Sequence, residues 1–134
     1  MITQNIKALV EHRLEQANES LEAARILMER IMPRPAVNRS YYAMFYAVLA
    51  LLAIEKKETS KHSGAVSLFD REFVKRGYFS KDLSQWLHEA FDLRQISDYS
   101  AQSAISIEDA QLSFDHAKAF VEEVKSVLKQ HYNF

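Results

Sequence analysis

Apolar residues recur through the N-terminal stretch at alternating steps of three and four: Ile6, Val10, Leu14, Ala17, Leu21, Ala24, Met28 and Ile31. That spacing keeps them on one face of an α-helix, with Glu15, Glu22 and Arg25 on its flanks. The pattern predicts a helix over about residues 3–31, stopped by a short turn at Pro33 and Pro35, since proline lacks an amide donor. A second helix, about residues 36–56, is apolar on nearly every side, which requires neighbours all round it. Ala43, Ala47 and Ala50 give it a small-residue stripe for close approach. Tyr41, Phe45, Val48 and Leu52 give it a bulky one.

A polar, basic loop over residues 56–61 leads to a third helix, about residues 63–75, that turns Val66, Phe69 and Phe73 inward. Gly77 stands where a left-handed C-cap is expected. Ser80 suits the N-cap of a fourth helix, which presents Leu83, Leu87, Ala90 and Phe91 and fades near Tyr99. Residues 100–106 read as a loop. Ser106 and Asp109 then have capping-box spacing, with Asp in place of the usual Glu. Ala110, Phe114, Ala117, Val121, Val124 and Leu128 repeat the three-four rhythm in a last helix. The expected fold is all-α: an up-and-down antiparallel bundle of four to five helices around a central apolar second helix, one domain over residues 1–134.

Composition narrows this further. Two Gly and two Pro among 134 residues leave little turn chemistry for a multi-stranded sheet. With 48% hydrophobic and 26% charged residues, the chain has the makings of a globular core. The absence of cysteine excludes disulfides, thiolate metal sites and cysteine nucleophiles. The first residues carry charges and no apolar run, unlike a signal peptide. The longest apolar run, residues 41–54, has 14 residues against the ~20 needed to span a bilayer. No membrane association and a cytoplasmic location are expected.

The formal net charge of −1 argues against a general nucleic-acid binder. Its distribution is uneven: residues 56–81 hold seven basic side chains against three acidic ones, a local +4 that leaves −5 elsewhere. Such a patch can meet phosphates, although a solvated basic surface is the commoner explanation.

Much familiar chemistry is missing. No Glu-x-x-His pair of a di-iron bundle occurs. His88-Glu89 begins like a zinc-protease helix, but Asp92 stands at the second histidine position, and two ligands do not make a metal site. Gly64 and Gly77 are isolated, so no phosphate-binding glycine loop can form. His12, His116 and His131 fall on polar helix flanks as surface residues. No metal and no cofactor are expected.

Three segments together resemble the HEPN family (higher eukaryote and prokaryote nucleotide-binding domains). They are Asn38-Arg39-Ser40-Tyr41-Tyr42-Ala43-Met44-Phe45-Tyr46-Ala47; Lys61-His62-Ser63-Gly64 with the following Leu68-Phe69 and Glu72-Phe73-Val74-Lys75; and Leu93-Arg94-Gln95-Ile96-Ser97-Asp98-Tyr99. The resemblance implies a helical bundle that usually dimerises. It also implies kinship with metal-independent ribonucleases, often toxins paired with a small nucleotidyltransferase or another antitoxin. In those ribonucleases an Arg is followed, after four to six residues, by a catalytic His. The Arg stabilises phosphate charge and the His moves the proton of the attacking 2′-hydroxyl.

Here Arg39 is followed after six residues by Tyr46, and Arg94 after four by Tyr99. A tyrosine, with a pKa near ~10, is a poor general base at neutral pH, so cleavage by the family mechanism is not expected. Arg94 and Asp98 also have the spacing of a plain intrahelical ion pair, and Arg39 that of a helix-start residue paired with a carboxylate. The functional alternative is a polar cleft for a nucleotide or RNA phosphate, lined by Arg39, Tyr46, Arg94, Asp98 and Tyr99, with Lys61 and His62 contributing from the loop. The sequence thus points to a nucleotide-, RNA- or partner-binding HEPN module, a homodimer, in a toxin–antitoxin-like system. The alternatives are an active ribonuclease that uses Arg94 with a different base, such as His62 or His88, and a structural dimerisation module.

Overall fold

A computed structural model describes residues 2–99 and 104–134. Its helices are α1 (Gln4–Glu29), α2 (Pro33–Ile54), α3 (His62–Phe69), α4 (Lys81–Tyr99) and α5 (Ile107–Tyr132). Among the described residues there is no strand. The architecture is the expected all-α bundle with α2 at its centre, packed against α1, α3, α4 and α5. By length and composition α2 is also apolar enough to cross a membrane, but its sides are taken up by the other helices, and twelve of its residues are buried.

The helix ends follow local chemistry. The Thr3 hydroxyl accepts from Ile6 N at 3.2 Å and caps α1. The Ser106 hydroxyl accepts from Asp109 N at 3.0 Å and caps α5, as the capping-box spacing predicts. Gly77 adopts φ 90°, with its own amide bonded to Val74 O and the Tyr78 amide to Phe73 O. This is the Schellman arrangement that satisfies the last carbonyls of a helix.

Two other helices end in the same way on residues that do not advertise it. Ile31, at φ 55°, closes α1 through Ile31 N to Met28 O and Met32 N to Leu27 O. Lys56, at φ 58°, closes α2 through Lys56 N to Ala53 O and Lys57 N to Leu52 O. Two expectations are corrected here. Ile31 is not on the apolar face of α1 but 67% exposed in the turn beyond it. Pro33 and Pro35 do not form that turn; they lie in the first turn of α2, where a missing amide costs nothing.

The third helix is not uniformly α. From Asp70 to Val74 it winds as a π-helix, with Lys75 N bonded to Asp70 O at 2.8 Å. The Asp70 carboxylate anchors this turn to α4, accepting from Ser84 Oγ and meeting His88 Nε2, both at 2.6 Å. Val66, Phe69 and Phe73 face inward as expected. The expected loop over residues 100–106 falls partly outside the described residues; residues 104–106 are non-helical.

Candidate functional site

The first two-thirds of α2 carry Asn38, Arg39, Tyr41, Tyr42, Phe45 and Tyr46. Residues three, four or seven apart share a helix face, so the side chains form a continuous aromatic strip with Arg39 at its start. The Arg39 guanidinium lies 4.7 Å from the centre of the Tyr42 ring. The Tyr42 and Tyr46 rings follow 6.0 Å apart.

The last turns of α4 lie across this strip. Arg94 Nη2 donates to the Tyr42 hydroxyl at 3.2 Å. Its guanidinium stands 5.6, 5.5 and 5.9 Å from the ring centres of Tyr41, Tyr42 and Tyr99. Arg94 Nε is 2.9 Å from Asp98 Oδ2, at the i,i+4 spacing expected. That N–H is nonetheless not aimed at an acceptor, so the contact is ionic more than hydrogen-bonded. Asp98 is shared: Asn38 Nδ2 reaches both its oxygens at 3.2 and 3.3 Å, which ties α4 to the start of α2.

Arg39 does not find the carboxylate expected for it. Its Nε and Nη2 donate to Asn38 Oδ1 at 3.0 and 2.9 Å, and among the described residues it has no ion-pair partner. Arg34 Nη1 donates to the carbonyl of Ser97, a further link between the two helices. Arg34, Asn38, Arg39, Ser97 and Asp98 line an open cleft of about 480 Å³, together with Leu27 and Pro35.

The third contributor is His62, the first residue of α3. Its Nδ1 is 2.8 Å from the Tyr41 hydroxyl, and its ring stacks on Phe45 with centres 4.2 Å apart. Local structure sets this placement. Thr59 Oγ1 accepts from Lys61 N at 3.3 Å, and a Cβ on Gly64 would stand 2.3 Å from that oxygen, so a larger residue would displace the Thr59 hydroxyl from this turn. Burial, and then the charge of Arg94, push the His62 pKa below its ordinary 6.5. Burial raises that of Tyr41 against the opposing pull of Arg94, so the phenol stays protonated.

Of the residues singled out in the sequence, Arg39, Tyr46, His62, Arg94, Asp98 and Tyr99 thus belong to one connected cluster. Lys61 does not. It lines a separate recess with Arg13, Leu49, Lys56 and Lys57, beside the far half of α2. Much of the basic patch is also spent internally: Lys57, Arg71 and Arg76 lie 3.3–3.6 Å from Glu72. Burial alone would raise the Glu72 pKa, but Arg71 and Lys57 outweigh it and the net shift is downward.

Asn38, Tyr41, Tyr42, Phe45 and Arg34 enter the cluster unannounced as site residues. The signal available for the first four was helical spacing: Tyr41, Tyr42 and Phe45 follow Asn38 by three, four and seven residues, and Tyr42 is also three from Arg39. His88 pairs with Asp70 and not with Asp92, and among the described residues no group of three potential metal ligands occurs. His116 is more than a surface residue, since it stacks on Trp86 at 4.4 Å and an interplanar angle of 9°.

The cluster can act on an anion through two guanidinium groups, one with no carboxylate partner among the described residues, beside aromatic faces on which a base could stack. Comparison with known proteins agrees with the family resemblance. The HEPN domain model matches residues 10–127. A protein of Methanocaldococcus jannaschii named "Putative toxin" is 35% identical over 122 residues, covering 91% of this chain and 83% of its own length. A second protein of that name from the same organism is 32% identical over 130 residues, 97% of this chain and 96% of that one. A UPF0332 protein of Thermotoga maritima is 33% identical over 121 residues, 90% of this chain and 92% of that one. With the family model matching most of its length, the chain belongs to the HEPN domain family.

Proposed function

We propose that this HEPN domain binds RNA or a nucleotide through its phosphates, on the face where α2, α4 and the start of α3 meet. In this reading it is the toxin-type member of a toxin–antitoxin-like pair in the cytoplasm, with a small nucleotidyltransferase as the expected partner. The observation that carries it is Arg39: a guanidinium beside a tyrosine ring, in an open cleft, with no carboxylate partner among the described residues. Arg94 stands across the same tyrosine and adds a second positive charge. The names of the two archaeal relatives support the toxin class. Homodimerisation through exposed apolar residues of α4 and α5, Ile96, Ile107 and Leu112 among them, belongs to the same reading.

Fluorescence anisotropy with a labelled single-stranded RNA tests it. Binding is expected to weaken as salt rises and to fall in Arg39→Ala and Arg94→Ala. No binding by the unaltered protein, or equal binding by both variants, would sink it. Light scattering reports the oligomeric state, and a monomer at micromolar concentration removes the dimer.

A second reading, an active metal-independent ribonuclease with Arg94 and a non-standard base, is favoured by one observation: His62 Nδ1 meets the hydroxyl of Tyr41, whose ring centre lies 5.6 Å from the Arg94 guanidinium. His88 fits this less well. It is six residues before Arg94, roughly 120° around the helix, and is engaged with Asp70.

A further inference from the structure

The Tyr41–His62 pair decides what His62 can do at this site. Tyr41 is fully buried, and among the described residues its hydroxyl has one hydrogen-bond partner, His62 Nδ1. A buried hydroxyl proton left without an acceptor is costly. Arg94, whose guanidinium stands 5.6 Å from the Tyr41 ring centre, has only donors to offer. The Tyr41 hydroxyl therefore donates, and Nδ1 must hold a lone pair to receive it. A neutral imidazole carries one proton, so that proton sits on Nε2.

The ring cannot easily turn to change this. Phe45 stacks on one face at an interplanar angle of 23°, and Tyr42 meets the ring edge-on at 5.5 Å. Protonating Nδ1 would set a donor against the Tyr41 donor and place a second cation near Arg94.

We infer that Tyr41 holds His62 as a neutral Nε2–H donor, which hydrogen-bonds a phosphate oxygen beside Arg94 and does not serve as a proton acceptor. The inference deepens the phosphate-binding reading and rests on it. It also separates that reading from the ribonuclease one. For a 2′-hydroxyl oxygen to attack phosphorus, a base must take the hydroxyl proton as the new O–P bond forms. At Nε2 that needs a lone pair, hence a proton on Nδ1 and a Tyr41 hydroxyl turned towards nothing. Tyr41 is thus a positioning residue: it sets the tautomer and touches no ligand itself.

Long-range proton–nitrogen NMR on the full chain with ¹⁵N-labelled histidine, at pH 7.5, reads the tautomer directly, with His62 assigned by its absence in His62→Gln. The expected result is a protonated Nε2 and an unprotonated Nδ1, shifting to a mixture in Tyr41→Phe. A proton on Nδ1 in the unaltered protein overturns the inference.

The second arm uses the labelled RNA. Gln places an N–H near the position of Nε2, so His62→Gln should bind within about twofold of the unaltered protein, while His62→Ala loses severalfold. Equal binding by His62→Ala refutes the phosphate contact. Metal-free RNA cleavage abolished by His62→Ala refutes the donor assignment. If the unaltered protein binds no RNA, the phosphate contact falls with the functional reading, and the NMR result still decides the role of Tyr41.

Discussion

Two of the aromatic clusters in this small bundle are built on opposite terms. Phe69, Phe73, Phe79 and Phe120 form one, with the Phe69 ring centre 5.1 and 5.2 Å from those of Phe79 and Phe120 and no ring more than 6% exposed. Tyr41, Tyr42, Phe45 and His62 form the other, with Arg39 and Arg94 laid against it. The phenylalanines have no polar atoms to satisfy, so packing alone decides their energy. The second cluster brings hydroxyls, an imidazole and two guanidiniums, each of which needs a partner when it leaves water. Rings of similar size therefore serve cohesion in one place and, in the reading proposed here, recognition in the other.

The contrast can be broken at several points. The largest effect on stability should come from Phe120→Ala, which opens a cavity against Phe69 in the apolar cluster and costs about 3–5 kcal/mol, read as a drop in the urea midpoint. Binding per folded molecule should survive it; a loss of RNA affinity in the folded fraction would mean that the clusters are not separate. Arg94→Met should do the reverse. RNA affinity falls about tenfold or more, equivalent to ~1.4 kcal/mol, while stability moves less than in Phe120→Ala, because Asp98 keeps Asn38 and Ser97 as partners.

Tyr41→Phe removes one hydroxyl from the polar cluster and should cost about 1 kcal/mol in the same urea titration. A change near zero would show that His62 finds water as readily as Tyr41. The smallest effect concerns pH. Since His62 is depressed when folded, the unfolded chain takes up the proton first as pH falls below 6.5. The His62 contribution is then fully present above pH 6.5 and is lost on acidification towards the folded value. His62→Gln should flatten that part of the stability profile, and an unchanged slope would remove His62 as its source.

How much of this the sequence disclosed depended on the range of the interaction. The α1 and α5 faces, the Ser106 cap, the Gly77 turn and the Arg94–Asp98 pair all rest on spacings within a turn or two, and those are visible in a string of residues. The left-handed ends at Ile31 and Lys56 were not, because neither side chain favours that conformation and so neither marks it in the sequence. The aromatic strip of α2 followed from its spacing. The meeting of Tyr41 with His62 did not, since it depends on how α3 sets off from a turn 21 residues later. Lys61 illustrates the same limit from the other side: a neighbour of His62 in sequence, it faces a different recess.

The π-helical turn at Asp70–Val74 has a consequence for how this chain tolerates changes in length. A π turn spends one more residue per hydrogen-bonded ring than an α turn does. Deleting one residue there would let the ordinary i to i−4 bonds close through, with the segments on both sides kept in phase. Phe69 before it and Phe79 after it would stay aimed at the same core. A relative one residue shorter at this point could share the same interior, while a one-residue deletion within α2 would rotate every later side chain of that helix by about 100°.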